Sequence, residues 1–214
     1  MLDHARLAAY ALAHTTPHSP ILAELTEITA RSTTSAGMQT GIAESALLVT
    51  LTRTVQPRFV VEVGTFTGAS ALAIAQVLPP DGRILCCDIS EEWTSIAREI
   101  WRKAGVADRI ELRLGPAADT LAELPARPEI DLAFIDADKT GYIGYFEALI
   151  DRLAPQGLIV VDNVLWDGAV VDNAVNDDNT TAIRAFNDHV MADNRVDVVL
   201  LPVGDGVSLI TRSS

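Results

Sequence analysis

From Arg58 onward the chain alternates short apolar runs with longer mixed stretches: RFVVEVG, RILCCDI, RIELRLG, IDLAFIDA, GLIVVDN, VDVVLLPVG and GVSLITR are the apolar ones. Continuous apolar runs separated by segments of helical length predict strands buried on both faces, and therefore βαβ units in a parallel sheet covered by helices on each side. The pattern is α/β, with seven strands. Only DG separates the last two runs, in VGDGVS, which predicts a tight antiparallel hairpin at one edge. Upstream, helical patterns cover about 3–14, 19–32 and 41–56, punctuated by Pro17, Pro20 and Pro57. The expected organisation is one domain, 1–214, with an N-terminal helical segment (1–57) ahead of the α/β core (58–214).

Composition narrows the class. At 214 residues and 49% hydrophobic content the chain can bury a sizeable core. Its 29 acidic against 16 basic residues, a formal charge of −13, oppose binding to nucleic acid or to an anionic membrane. No apolar stretch has the length of a membrane span, and Asp3 stands where an export signal needs positive charge, so the cytosol is the expected location. Cys86 and Cys87 are adjacent in an apolar run, where they point to opposite faces as small hydrophobes rather than forming a disulfide framework or a zinc site.

In an open α/β sheet, ligands bind beyond the carboxyl ends of the strands. Those ends are acidic here: Glu62, Asp88, Asp136 with Asp138, and Asp162 with Asn163. After the first strand comes EVGTFTGAS, whose Gly64 and Gly68 are spaced G-x-x-x-G, not the dinucleotide G-x-G-x-x-G. Taken alone, this loop serves equally as a tight strand-to-helix turn. A pyrophosphate would be repelled by the Glu62 carboxylate, whereas the ammonium and sulfonium of S-adenosylmethionine would suit it. Asp88 is placed to accept hydrogen bonds from ribose hydroxyls of either cofactor class. Ile89 follows it, positioned to touch an adenine face or simply to be buried.

Asp136 and Asp162 terminate neighbouring strands, about 5 Å apart along the sheet, and Asn163 adds a carbonyl oxygen. Three hard oxygen ligands suit Mg²⁺, or another oxygen-seeking ion such as Ca²⁺ or Mn²⁺. Singly, each has a plainer explanation as a helix cap or a solvent-facing acid. Lys139, three residues past Asp136, is either a surface lysine or, close to a cation, an amine able to accept a proton from a hydroxyl. Trp93 and Trp101, eight apart, fit one buried helical stripe, and Trp166 suits either an acceptor wall or core packing. The run DNAVNDDNTTAIRAFNDHV is read as a solvated loop feeding a capped helix.

The stretches VEVGTFTGASALAIAQVLPPDGRILCCDIS and FIDADKTGYIGYFEALIDRLAPQGLIVVDNVLWDG resemble the cation-dependent O-methyltransferase family that includes caffeoyl-CoA and catechol O-methyltransferases. The resemblance runs from about Met38 to the C-terminus. It implies a Rossmann-like class I methyltransferase fold and a homodimer. It implies Asp136, Asp162 and Asn163 as holders of the divalent cation, with Lys139 as the base and Asp136 in the catalytic set beside it. It further implies Met38, Thr40, Glu62, Gly64, Thr65, Ser70, Asp88, Ala117, Asp136 and Asp138 as the S-adenosylmethionine site. Asp167 stands where plant caffeoyl-CoA enzymes carry Asn. The expected activity is methyl transfer from S-adenosylmethionine to a hydroxyl of a small vicinal dihydroxy aromatic. Two alternatives remain at this point: a nicotinamide oxidoreductase, opposed by the glycine spacing and Glu62, and a non-catalytic S-adenosylmethionine-binding module, opposed by the Asp136, Lys139, Asp162 and Asn163 set.

Overall fold

The computed structural model describes residues 4–127 and 129–213. Three helices lead: α1 (His4–Ala13), α2 (Pro20–Ser32) and α3 (Ile42–Val55). The core then alternates β1 (Phe59–Val63), α4 (Ala69–Ala75), β2 (Arg83–Asp88), α5 (Glu91–Lys103), β3 (Ile110–Leu114), α6 (Ala117–Ala122), β4 (Ile130–Ile135), α7 (Tyr142–Ile150) and β5 (Leu153–Asp162). It closes with α8 (Asp178–Ala192), β6 (Val196–Leu201) and β7 (Val207–Arg212).

The strands form one sheet in the order β3-β2-β1-β4-β5-β7-β6, and β7 is antiparallel to both its neighbours. The hairpin is looser than the DG spacing predicts: residues 202–206 separate its strands. Pro202 has no N–H to add to a ladder, and Gly204 and Gly206 turn the backbone left-handed, so pairing resumes only at Val207.

Apolar strand residues alternate between two cores, as a sheet covered on both faces requires. Val61, Val63, Ala133 and Ile135 pack with α7 and α8 through Tyr142, Phe146 and Phe186. Val60, Ile84 and Phe134 pack with α2–α5 through Leu25, Leu48, Leu72 and Trp101. Cys86 and Cys87 fall in different cores, both buried with free thiols. Among the described residues, no helix is long and apolar enough to cross a membrane.

Strand order reverses between β1 and β4, and there the chain opens a crevice. Register aligns Val63 with Ile135 and Ile135 with Val161, so Gly64, Asp136 and Asp162 come next on a common rim. Two glycines make this geometry possible. Gly64 has φ +88°, and a Cβ there would lie 1.9 Å from the Asp136 carbonyl oxygen. Gly68 has φ +85°, and a Cβ would meet the Trp101 ring at 2.8 Å, so only glycine lets α4 start this close to α5.

Candidate active site

The first loop is held from β2. Asp88 Oδ2 accepts from the Thr65 and Phe66 backbone N–H groups at 2.9 and 2.8 Å, and its Oδ1 accepts from Ser90 N at 2.8 Å. A carboxylate has about four lone-pair sites, so the same group retains capacity for a ribose hydroxyl while it shapes the loop. Phe66 sits at φ 51° and meets Trp93 edge-on, centroids 4.9 Å apart. Ile89 is 79% exposed, which settles its two sequence readings against core burial.

One cleft of about 830 Å³ is lined by Met38, Thr40, Gly64, Thr65, Ser70, Asp88, Ile89, Ala117, Asp136, Asp138, Lys139, Asp162 and Asn163. Every candidate residue except Glu62 therefore meets in one place. Glu62 lies one residue short of the β1 end, fully buried between Cys86 and Phe134 of the flanking strands. It stands behind the cleft wall rather than in it. The parity of the strand decides this: Gly64, two residues on, has already left the sheet. Among the described residues neither Glu62 oxygen has a hydrogen-bond partner, and burial pushes its carboxyl up to about 7. The nearby Ser70 and Thr65 hydroxyls pull the other way without reaching hydrogen-bond geometry. A buried, unpartnered carboxyl behind Ser70 and Thr65, both on the cleft wall, fits a cationic ligand in the cleft.

The opposite half of the cleft centres on Lys139. Its side chain is buried, and its ammonium donates to Asp136 Oδ1 at 3.0 Å, Asn163 Oδ1 at 2.6 Å and the Tyr142 hydroxyl at 2.6 Å. The surface-lysine reading is thereby removed. The Tyr142 hydroxyl in turn donates to the Asp162 backbone oxygen at 3.1 Å, tying the start of α7 to the end of β5. Burial beside Asp136 raises the Tyr142 phenol further above its ordinary value. Asn163 adopts φ 59°, a left-handed turn that swings its amide oxygen back toward Lys139. Asp162 is 2% exposed and accepts from the Asn163 N–H at 2.7 Å; burial, then the adjacent Asp136 charge, raise its carboxyl strongly. Asp138 turns aside to accept from the Tyr145 hydroxyl at 2.5 Å.

The charge balance around this point is one-sided. Glu44, Asp88, Asp136, Asp138, Asp162 and Asp205 line the cleft against the single ammonium of Lys139. Asp136 and Asn163 oxygens meet on one monocation, and the crowding of negative charge beside Asp162 pushes its carboxyl up; this oxygen donor set fits a divalent oxygen-seeking cation. A different trio, Glu147, His189 and Asp193, also brings possible ligand atoms within 4.8 Å of one another. Arg195 already fills it, bonding Glu147 at 2.8 Å and Asp193 at 2.6 Å, so it is an ion-pair cluster.

Several cleft residues escape sequence reasoning. Glu44 and Asp205 come from the N-terminal helices and the β6–β7 loop, with no local motif to mark them. Trp93 lines the cleft while Trp101 is buried and donates to the Gly68 carbonyl at 3.1 Å, so the expected common stripe is absent. Eight residues at about 100° each leave the two rings roughly 80° apart around the helix. Tyr142 did carry a signal, three residues past Lys139 and hence beside it on a helical turn. Trp166 is a wall residue, its ring 5.4 Å from the Lys139 ammonium.

A doubly wound sheet with its cleft at the reversal point, a glycine turn after β1 and an acid at the end of β2 define a Rossmann-like fold that binds a nucleoside-bearing cofactor. The chain belongs to the O-methyltransferase family, whose profile matches residues 12–213. It is 39% identical over 207 residues to a probable caffeoyl-CoA O-methyltransferase of Dictyostelium discoideum, covering 95% of this chain and 90% of that one. It is 36% identical to a catechol O-methyltransferase domain-containing protein of Mus musculus, covering 94% and 77%. Among solved structures, a SAH-bound methyltransferase of Podospora anserina superposes with TM-score 0.89 at 30% identity, covering 100% and 99%. An O-methyltransferase of Streptomyces achromogenes involved in tomaymycin synthesis, solved with SAM, gives TM-score 0.88 at 27% identity and 100% coverage of both chains. The protein is thus an S-adenosylmethionine-dependent O-methyltransferase, which decides against both a nicotinamide oxidoreductase and a non-catalytic module.

Proposed function

We propose that the protein methylates one hydroxyl of a small vicinal dihydroxy aromatic, with a divalent cation, Mg²⁺ by its donor set, held by Asp136, Asp162 and Asn163. The observation that carries this is the convergence of Asp136 and Asn163 oxygens on the buried Lys139 ammonium, beside Asp162 at the next strand end. A phenol of pKa near 10 is ionised about once in a thousand molecules at pH 7, a deficit of roughly 4 kcal/mol for a reaction that needs the oxyanion. When bound, the cation would supply Lewis acidity toward the ionised hydroxyl and a template for two adjacent oxygens.

The residues of the chain do the rest. Lys139 in its neutral form takes the hydroxyl proton at Nζ and becomes the ammonium that Asp136, Asn163 and Tyr142 hold in position. Trp166 excludes water from one side. Thr65, Ser70, Asp88 and Ala117, with Met38 and Thr40 across the opening, orient the methyl donor. The acceptor oxygen then forms its bond to the methyl carbon as the sulfonium C–S bond breaks, with no covalent enzyme intermediate. Exposed Leu7, Tyr10 and Leu12 on α1 support homodimerisation, and a setting in the cytosol agrees with two free buried thiols.

The test is a panel of catechols, caffeoyl esters and flavonoids assayed with Mg²⁺ and with chelator, on wild type and Asp162→Ala. Methylation of vicinal diols that vanishes with chelator and in the variant, while calorimetric S-adenosylmethionine binding persists, is the expected result. Full turnover in chelator would overturn the cation's role.

A further inference from the structure

Beyond Trp166 the cleft continues into a second cavity of about 550 Å³, and the two share Trp166 and Asp205. Its wall is the segment from Trp166 to Asp177, which has almost no backbone ladder of its own. Residues Trp166 and Asp167 lie at φ 48° and 49°, so the short 3-10 turn at Trp166–Val171 is broken internally. Asp205 anchors its start, accepting at Oδ1 from Asp167 N and at its carbonyl from Leu165 N at 2.9 Å, and the stretch beyond is held by a side chain from α8. Arg184 donates from Nε to the Val170 carbonyl at 2.9 Å, and from Nη2 to the Ala169 and Asp172 carbonyls at 2.7 and 2.5 Å. Its Nη1 donates to the Val175 carbonyl at 2.8 Å and to Asn176 Oδ1 at 3.2 Å. A guanidinium has five N–H donors, and all five are spent on one loop. The base of α8 is fixed independently: Asp177 caps it through Thr180 N at 3.0 Å, and Asn187 reaches the Val164 carbonyl at 2.9 Å.

We propose that Arg184 is a positioning residue for the methyl acceptor, acting through the loop. With Asp205 pinning Leu165 and Asp167 on either side of Trp166, Arg184 gathers the carbonyls of 169–175 around one rigid fork and so completes the frame that keeps the Trp166 ring 5.4 Å from the Lys139 nitrogen, which sets where the acceptor ring rests. That the acceptor lies beside Trp166 rests on the role proposed for Lys139, whose nitrogen is 5.4 Å from the Trp166 ring; the clasp itself is independent of it. Lysine cannot replace this group, because three donors on a flexible stem cannot address five acceptors spread over eight residues.

The test uses full-length Arg184→Met and Arg184→Lys with wild type. Two measurements are made: hydrogen exchange of peptides spanning 166–177, and steady-state methylation of a catechol with both substrates varied. The expected result is faster exchange confined to that loop in both variants, about a tenfold rise in acceptor KM for Arg184→Met, and a smaller rise for Arg184→Lys. The ratio of the two methylated regioisomers should drift toward unity, while S-adenosylmethionine affinity stays within about twofold. A general loss of structure would instead move both substrates' constants and exchange across the sheet together, which overturns the proposal. Unchanged exchange in 166–177 also overturns it. If Arg184→Met does not fold, Arg184→Lys decides by the same readouts. Wild type that methylates no vicinal diol refutes the proposed acceptor class while leaving the loop exchange to judge the clasp.

Discussion

Replacing Gly64 with alanine tests whether the rim of the cleft depends on one close approach. At φ +88° an L-residue costs about 1–2 kcal/mol in a left-handed conformation. The new Cβ would also sit 1.9 Å from the Asp136 carbonyl oxygen, where ordinary contact begins at 3.4 Å, so the two strand ends must part by about 1.5 Å. That displacement strains the bond from Asp136 N to the Val63 carbonyl, 2.8 Å long, and overpacking of this kind costs about 1–3 kcal/mol. The sum is roughly 3 kcal/mol, which for a chain of this size lowers Tm by roughly 6–12 °C. Gly105→Ala is the control, because Gly105 has φ +70° but nothing within 4 Å of its would-be Cβ. It should lose only the conformational part, about 1–2 kcal/mol. Thermal and urea unfolding of both variants, with methyl transfer measured well below the melting range, give the comparison. Gly64→Ala should be the less stable of the two and should lose turnover even while folded, since Asp136 moves with its carbonyl. Equal stabilities, or full activity in Gly64→Ala, would refute the close-approach reasoning.

Three further outcomes are expected. Glu62→Gln should alter the pH dependence of stability. The folded-state pKa of Glu62, about 7, lies above its ordinary value of 4.5, so its contribution is fully present below pH 4.5 and is lost as pH rises through 7. About 3 kcal/mol of wild-type stability should fade over that window and not in the variant, read from urea midpoints at about pH 4 and about pH 8; parallel curves would contradict the buried carboxyl. Lys139→Ala should lower kcat by about 10²-fold or more at neutral pH and recover in part as pH approaches the acceptor's own hydroxyl pKa, and an unchanged pH-rate profile would assign the proton to solvent. With six carboxylates and one ammonium lining the cleft, an amine-bearing catechol should show a lower KM than a carboxylate-bearing one, with a gap that narrows from 0.01 M to about 0.5 M salt; a salt-independent gap would exclude electrostatics as its cause.

What the sequence determined by itself was the set of local periods and punctuation. Apolar runs of strand length, helix-length spacers and acids at the run ends placed Asp88, Asp136, Asp162 and Asn163 on one rim, because strand ends in a parallel sheet share one edge. Tertiary structure decided which way each group faces and what reaches it from elsewhere in the chain. Glu62 carries the right charge near the right loop, yet strand parity buries it behind the wall. Trp93 and Trp101 share a helix, yet one overhangs the cleft and the other braces Gly68. Glu44, Asp205 and the Arg184 clasp arrive from elements distant along the chain. Their meeting follows from the closure of helices over a twisted sheet, and no period of 2 or 3.6 residues records contacts of that range.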